Sequence, residues 1–368
     1  MKQKQREISL GFLLVVCFLC ESVFGQAPPI FASGNQNPTP SSPTPYIVSN
    51  PGVPSTNRVC SCVVSGTCTG IIVNPGAGSI DIRIVNQGST GTGGTTTCPG
   101  GYVLCCTNGS GSVIDSTCGR RKYTSSTALP IGQAAYGAYP WQVALLHPTT
   151  HQFLGAGVLI KENYILTAAH KIYNLGYNFI IRLGEWNSAT NVEPYIDASP
   201  SAVSIHPNFN AQNLHNDIAV VRLDKNIAIA SYANINTACL PTNNPTAGTR
   251  CWASGWGVNA FTGGTYQSIM KEVDLPIVDY NTCQNQLRAT RLGQYFQLDS
   301  TSFICAGGEA GKDACTGDGG GPLVCQQATG QFQVVGLTAW GVGCAQVNVP
   351  AAYVHIYNYL SWIKQQTG

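Results

Sequence analysis

Cysteine constrains what this chain can fold into more than any other residue, with 16 among 368 residues. Cys17 and Cys20 fall within residues 1–25, which read as a signal peptide: a basic start (Lys2, Lys4, Arg6), an apolar run from Ile8 to Cys20, and small-residue spacing at Val23-Phe24-Gly25. That run is short of the ~20 residues needed to span a bilayer, so export rather than anchoring is expected. Its removal leaves 14 of the 16 cysteines, an even number in an oxidising compartment, and the simplest expectation is that all of them pair as disulfides. Zinc is the rival use of clustered cysteines. However, Cys60-x-Cys62 and the adjacent Cys105-Cys106 lack the paired spacing of a zinc ribbon, and no histidine lies among them. Neither a metal nor a cofactor is expected, with calcium on a surface loop left open.

Composition then divides the chain. Residues 26–59 are rich in Pro, Ser, Asn and Gly with few large apolar side chains, too little to offset the entropy of ordering them, so a linker or disordered arm is expected. Residues 60–106 hold six cysteines around a small apolar set (Ile71, Ile72, Val73, Ile82, Ile84, Val85), so covalent closure must supply much of the stability of this module. Within it, Ser79 to Val85 alternates like a half-buried strand and Gly88 to Thr97 reads as a loop. A second linker, residues 107–134, carries the N-glycan sequon Asn108-Gly109-Ser110 in an expected exposed hinge. It also carries Arg120-Arg121-Lys122, read either as a solvated loop or as a processing site.

From residue 135 to 368, runs rich in Val, Ile, Tyr and Trp recur between turn signals: Trp141 to Leu146, Phe179 to Leu183, Ile218 to Leu223, Phe332 to Leu337. A mainly β sandwich or barrel follows. Tyr353, Ile356, Tyr357, Leu360 and Ile363 recur at helical spacing and predict a C-terminal amphipathic helix. With 10% charged residues and a net charge of +2, the chain has no field that argues for nucleic acid or an anionic membrane as partner, and function must be sought in a site.

Three segments carry that site: Leu166-Thr167-Ala168-Ala169-His170, Asn216-Asp217-Ile218-Ala219, and Asp313-Ala314-Cys315-Thr316-Gly317-Asp318-Gly319-Gly320-Gly321-Pro322. Taken alone, a histidine ending an apolar segment is usually structural and an Asn-Asp pair is usually a turn. Their joint order, together with Tyr139-Pro140-Trp141, Cys251-Trp252-Ala253-Ser254-Gly255-Trp256-Gly257 and Ala339-Trp340-Gly341, resembles the chymotrypsin-family serine proteases across residues 135–368. The resemblance implies a chymotrypsin-like double β-barrel with a C-terminal helix. In such enzymes a histidine takes the proton from a serine hydroxyl, an aspartate orients the imidazole, and two backbone N–H groups hold the oxyanion. His170 and Asp217 match the first two roles, and Gly319 stands where the family carries its serine nucleophile. Loss of that serine costs about six powers of ten in turnover in the subtilisin precedent. Thr316 is a poor replacement, since a shift of about 1 Å already costs orders of magnitude.

Further departures are read as independent of Gly319. No activating Ile-Val-Gly-Gly sequence lies between Arg120 and Pro140, so Asp318 would lack the ammonium partner that orders the oxyanion segment at Gly317, and would turn outward or find another donor. The family's disulfide beside the histidine is replaced by Gly155 and Lys171. Ala339, beside Gly341, stands for a substrate-aligning serine, and Ala351 for a glycine of the specificity pocket. Asp313 matches the position that favours basic substrates and reads as inherited without use. The resemblance also implies the pairs Cys118–Cys239, Cys251–Cys325, Cys283–Cys305 and Cys315–Cys344.

The upstream module resembles the clip module of arthropod proteases, which implies Cys60–Cys105, Cys62–Cys98 and Cys68–Cys106, although spacing alone leaves about 15 connectivities. A clip module before a nucleophile-less protease domain resembles the clip-domain serine protease homologues, or masquerade-like proteins, of insect haemolymph. That likeness implies a secreted adaptor or cofactor, with prophenoloxidase or clip-domain proteases as partners. Regulation of adhesion in extracellular matrix, or an active protease with a relocated nucleophile, are the alternatives.

Overall fold

Short β-branched and aromatic runs separated by tight turns give antiparallel neighbours, and almost every strand here pairs with one adjacent in the chain. The computed structural model describes residues 27–32, 46–48, 58–64, 71–73, 102–108, 117–122, 129–190, 192–258, 264–314 and 317–368.

Four strands, β1 (Tyr46–Val48), β2 (Arg58–Val64), β3 (Ile71–Val73) and β4 (Tyr102–Asn108), form an antiparallel sheet in the order β1-β2-β4-β3. The sheet starts upstream of the expected boundary at Cys60, because Val48 pairs with Arg58 and Tyr46 with Cys60. At its other end Asn108 pairs with Arg58, so the sequon asparagine closes a strand rather than sitting in a hinge. The strand expected at Ser79 to Val85, the loop at Gly88 to Thr97 and the side-chain pairings of the six clip cysteines lie outside the described residues.

The first large sheet comprises β5 (Gln142–Leu146), β6 (Phe153–Lys161), β7 (Tyr164–Thr167), β8 (Ile180–Leu183), β9 (Ile196–Ala198), β10 (Pro200–Ile205) and β11 (Ala219–Leu223), ordered β10-β11-β7-β6-β5-β8-β9. The second comprises β12 (Arg250–Gly255), β13 (Lys271–Val278), β14 (Phe303–Gly307), β15 (Pro322–Gln326), β16 (Phe332–Trp340) and β17 (Pro350–His355), closed into a barrel in the order β12-β13-β14-β17-β16-β15. Each has its own apolar filling, Val143, Leu159 and Ile181 in the first and Leu275, Leu323 and Tyr353 in the second. A third cluster with Trp141, Leu166, Val334 and Leu337 takes residues from both and joins them. This is the trypsin-like two-barrel fold.

Among the described residues, three short helices complete it: α1 (Ala169–Ile172), α2 (Tyr280–Arg288) and α3 (Leu360–Thr367). The C-terminal helix is shorter than the periodicity implied. Tyr353 lies in β17, paired to β14 and β16, and a 3-10 turn over Ile356–Tyr359 precedes α3. Barrel pairing overrides the helical spacing there, because Tyr353 is wholly buried between two strands. Helix α2 was not expected. Its signal was local, since the Asp279 carboxylate accepts the Thr282 N–H at 3.0 Å as an N-cap, and the Cys283–Cys305 disulfide ties the helix to β14.

Two segments expected as linker are instead seated on the barrels. Residues 27–32 pack against β6, with Phe31 fully buried. In residues 117–122, Cys118 is bonded to Cys239, Arg120 donates to the Thr329 carbonyl at 2.7 Å, and Lys122 donates to the carbonyls of Ile229 and Tyr232. The Arg121 guanidinium lies over the rings of Phe332 and Tyr139, at 4.6 and 5.0 Å from their centroids. The basic triplet is therefore held rather than solvated, and a protease acting on it must first lift it from these contacts.

Candidate active site and its remnants

The chemistry-bearing groups come from the ends of strands in both barrels. Helix α1 begins where β7 ends and sets His170 beside Asp217, which precedes β11. The buried Asp217 carboxylate accepts the His170 backbone N–H at 2.7 Å with one oxygen and holds His170 Nδ1 at 2.6 Å with the other. Asp217 thereby fixes both the position and the tautomer of the imidazole, as in a working triad. Behind it, the Tyr359 hydroxyl donates to Asn216 Oδ1 at 3.1 Å, and the Asn216 N–H donates to Ser302 Oγ at 2.9 Å.

Nε2 of His170 faces residue 319. A Cβ built on Gly319 would lie 3.1 Å from His170 Nε2, the direction from which a nucleophile would meet its base, and no hydroxyl is carried there. Its neighbour Gly320 has φ of +82°, and a Cβ there would run into the Ala156 carbonyl and Thr167 Oγ1, so glycine is required at that turn. The Ala156 N–H donates to the Gly319 carbonyl at 2.9 Å, which pins the turn to β6.

Lys171 changes the reading of the missing disulfide. A Cβ on Gly155 would meet Lys171 Cε at 2.5 Å and Cγ at 3.2 Å, and a Cβ on Gly319 would meet Lys171 Cδ at 3.1 Å. The lysine stem thus runs past both glycines, occupying the space of a side chain at 155 and crowding one at 319. Expected as independent departures, Gly155, Lys171 and Gly319 are parts of one repacked unit.

Asp313 and Asp318 lie near enough for their charges to interact. Asp318 turns inward and accepts the Gly257 N–H at 2.9 Å, so it has found a backbone donor rather than swinging to solvent. Tyr266 lies close over Gly317, within 2.6 Å of a Cβ built there. Asp313 is half-buried, accepts the Ala345 N–H at 3.0 Å through one oxygen, and is pushed up to about 7 chiefly by desolvation, with the Asp318 charge adding to it. Ala339 lies in β16 and packs against the apolar cluster that joins the two barrels. Ala351 is buried in β17, and its methyl lies 3.8 Å from a Cβ built on Gly341. Cys251–Cys325 and Cys283–Cys305 are formed and Cys344 is disulfide-bonded, while Cys315 and Thr316 lie outside the described residues.

A buried acidic pair missed by sequence reasoning lies on the first barrel. Glu193 Oε1 accepts the backbone N–H of Trp186, at 2.8 Å, and that of Asn187. Glu185, buried beside it, is pushed up to about 9 by desolvation and by its hydrogen bond and repulsion with Glu193, against the opposing pull of Arg182. Glu185 Oε1 and Glu193 Oε2 have no other donor, and one proton held on Glu185 satisfies both. No cluster of three or more His, Cys, Asp or Glu placed to hold a metal occurs among the described residues.

The sign of the pH effect follows. Glu185 binds its proton more tightly folded than unfolded, so its contribution is fully present below its ordinary value of 4.5 and is lost as pH rises towards about 9. Glu185→Gln is predicted to leave the unfolding temperature unchanged near about pH 5 and to raise it by several degrees near about pH 9. Thermal unfolding at the two pH values checks this, and equal shifts at both would contradict it.

The fold and site define a class: a trypsin-like two-barrel domain in which a paired histidine and aspartate face a glycine. Residues 131–363 match the trypsin family, and the chain belongs to it. Residues 49–107 match the serine protease clip domain of the PPAF-2 type, so the chain is more narrowly a clip-domain serine protease homologue. It is 44% identical to inactive CLIP domain-containing serine protease A3 of Aedes aegypti over 324 residues, 84% of this chain and 67% of that one. It is also 44% identical to phenoloxidase-activating factor 2 of Galleria mellonella over 255 residues, 64% of this chain and 83% of that one. With inactive CLIP domain-containing serine protease A8 of Anopheles gambiae it shares 39% over 243 residues, 62% of this chain and 65% of that one. These relatives support a non-catalytic role in proteolytic cascades. No helix among the described residues is long and apolar enough to cross a membrane.

Proposed function

We propose that this chain is a secreted, catalytically inert adaptor or cofactor of an extracellular protease cascade, that its inertness originates at Gly319, and that it serves prophenoloxidase activation in haemolymph. The observation that carries the proposal is the intact His170–Asp217 pair facing a glycine across which Lys171 is packed. The base is in place, its proton donor is gone, and the gap has been refilled. A protease scaffold presents a rigid, loop-bearing surface shaped for macromolecules, and without turnover it holds a partner instead of cutting it. The likeness to a phenoloxidase-activating factor supports the choice of cascade.

Capture on the full-length chain from immune-challenged haemolymph tests the assignment. Phenoloxidase or clip-domain proteases are expected among the recovered proteins. Recovery of extracellular matrix proteins in their place would overturn the reading in favour of an adhesion role.

A further inference from the structure

Residues 27–32 precede the clip strands in the chain, yet they lie on the protease-like domain. The Phe31 ring stacks on Phe153 with centroids 5.5 Å apart and meets Trp256 edge-on at 5.4 Å. The Phe31 N–H donates to the His151 carbonyl at 2.9 Å and the Phe153 N–H to the Pro29 carbonyl at 2.9 Å, so the segment extends the start of β6 as an antiparallel bridge at Ile30 and Gln152. Ala32 is held on both sides of its peptide, its N–H by the Ser188 carbonyl and its carbonyl by Arg182 Nη1, each at 2.9 Å. Ile30 points to solvent while Phe31 points in, the alternation of a strand.

We propose that this groove is a docking site for an extended segment with a central aromatic, and that its resident, the chain's own residues 27–32, is a latch on the clip module. The clip strands lie in sequence between Ala32 and Cys118, and Cys118 is bonded to Cys239. That stretch is therefore anchored to the protease-like domain at both ends, by non-covalent contacts at one and by a disulfide at the other. The two ends respond differently to proteolysis. No cysteine lies between Gln26 and Val59, so a cut there leaves the strap attached through its ring and main-chain bonds alone. In the intact chain the strap rebinds intramolecularly, at an effective concentration on the order of mM, and stays closed. Once cut off, it is a short peptide at its bulk concentration and leaves.

Departure of the strap also reaches the cleft. Trp256, which loses a ring contact when Phe31 leaves, lies between Gly255 and Gly257, and the Gly257 N–H donates to Asp318. One buried ring links the clip module's upstream anchor to the seat of the former oxyanion segment. This inference does not depend on which partner the protein recruits.

Hydrogen exchange on the full-length chain is the test. Phe31→Ala is expected to raise exchange at the Phe153 and Gly257 amides by about tenfold or more while leaving the amides of β14 and β17 unchanged. A synthetic peptide with the sequence of residues 26–32 is expected to quench or shift tryptophan fluorescence in a chain lacking those residues, and to leave the intact chain unaffected because its groove is filled. Unchanged exchange in Phe31→Ala overturns the proposal even where the deletion variant fails to fold. Equal peptide binding by intact and deleted chains, or none by a folded deleted chain, overturns it as well. A concentration-dependent dimer of the intact chain that disappears with Phe31→Ala would assign the strap to a second copy and reject the latch in cis.

Discussion

Gly319→Ser leaves hydrolysis of an arginyl ester within about tenfold of the unmodified protein, although the substitution returns the hydroxyl that a triad lacks. A serine at 319 would face His170 Nε2, which Asp217 already orients through a 2.6 Å contact with Nδ1. On those grounds alone the chain would be one mutation from activity. The obstacle is Lys171, whose Cδ lies 3.1 Å from where the new Cβ must sit and whose stem extends over Gly155. Either the lysine moves or the serine is displaced, and displacement of about 1 Å costs two powers of ten. Ala339 carries no hydroxyl where the family resemblance implies a substrate-aligning serine. Asp313 is pushed up to about 7, so near neutrality much of it carries no charge to attract an arginyl side chain. The double variant Gly319→Ser, Lys171→Ala separates these causes. Activity in the double variant alone would make the lysine the principal barrier, and the non-additivity would measure its coupling to residue 319.

Arg182→Ala is the largest destabilisation expected, about 3–5 kcal/mol. The guanidinium is fully buried and grips Asp197 with Nε at 2.7 Å and Nη2 at 2.8 Å. Its Nη1 donates to Glu185 at 3.3 Å and to the Ala32 carbonyl at 2.9 Å, and its plane lies 3.9 Å from the Tyr195 ring centroid. Truncation leaves a cavity, a carboxylate with no partner and a strap with one bond fewer. Because Asp197 is one-third exposed, water relieves part of the loss, which favours the lower end of the range. In a domain of this size that corresponds to roughly 6–20 °C in unfolding temperature. Arg182→Lys is not expected to rescue it, since an ammonium cannot reproduce the planar two-pronged contact. A melting-temperature loss under a few degrees in Arg182→Ala would contradict the account of this buried network.

Much of the site was legible because it is written in short, local segments. Ala168-Ala169-His170, Asn216-Asp217 and the Gly-rich turn around Gly319 each carry rare residues at fixed offsets, and their order along the chain implies the barrels that bring them together. What could not be read is what depends on distant neighbours. Residues 27–32 have one aromatic and two prolines, too few for any periodicity, and only the slot between Phe153 and Trp256 gives Phe31 a reason to be buried. Arg121 looks like a solvated loop residue until Tyr139 and Phe332 are placed beneath it. The contact of Lys171 with Gly319 joins chain positions far apart, so departures that look separate in sequence are neighbours in space. Tyr353 shows the opposite error, a helical spacing that barrel pairing overrides.

The claim on which the rest depends is that no residue of this chain serves as a nucleophile in the cleft beside His170. Treatment of the mature, folded protein with a fluorophosphonate probe tests it most directly, because the probe bonds to an activated hydroxyl whatever the substrate preference. No labelling above that of a heat-unfolded control is predicted. Stoichiometric labelling that maps to residues 131–363, and is lost on His170→Ala, would show that a nucleophile has been relocated and that the protein is an enzyme.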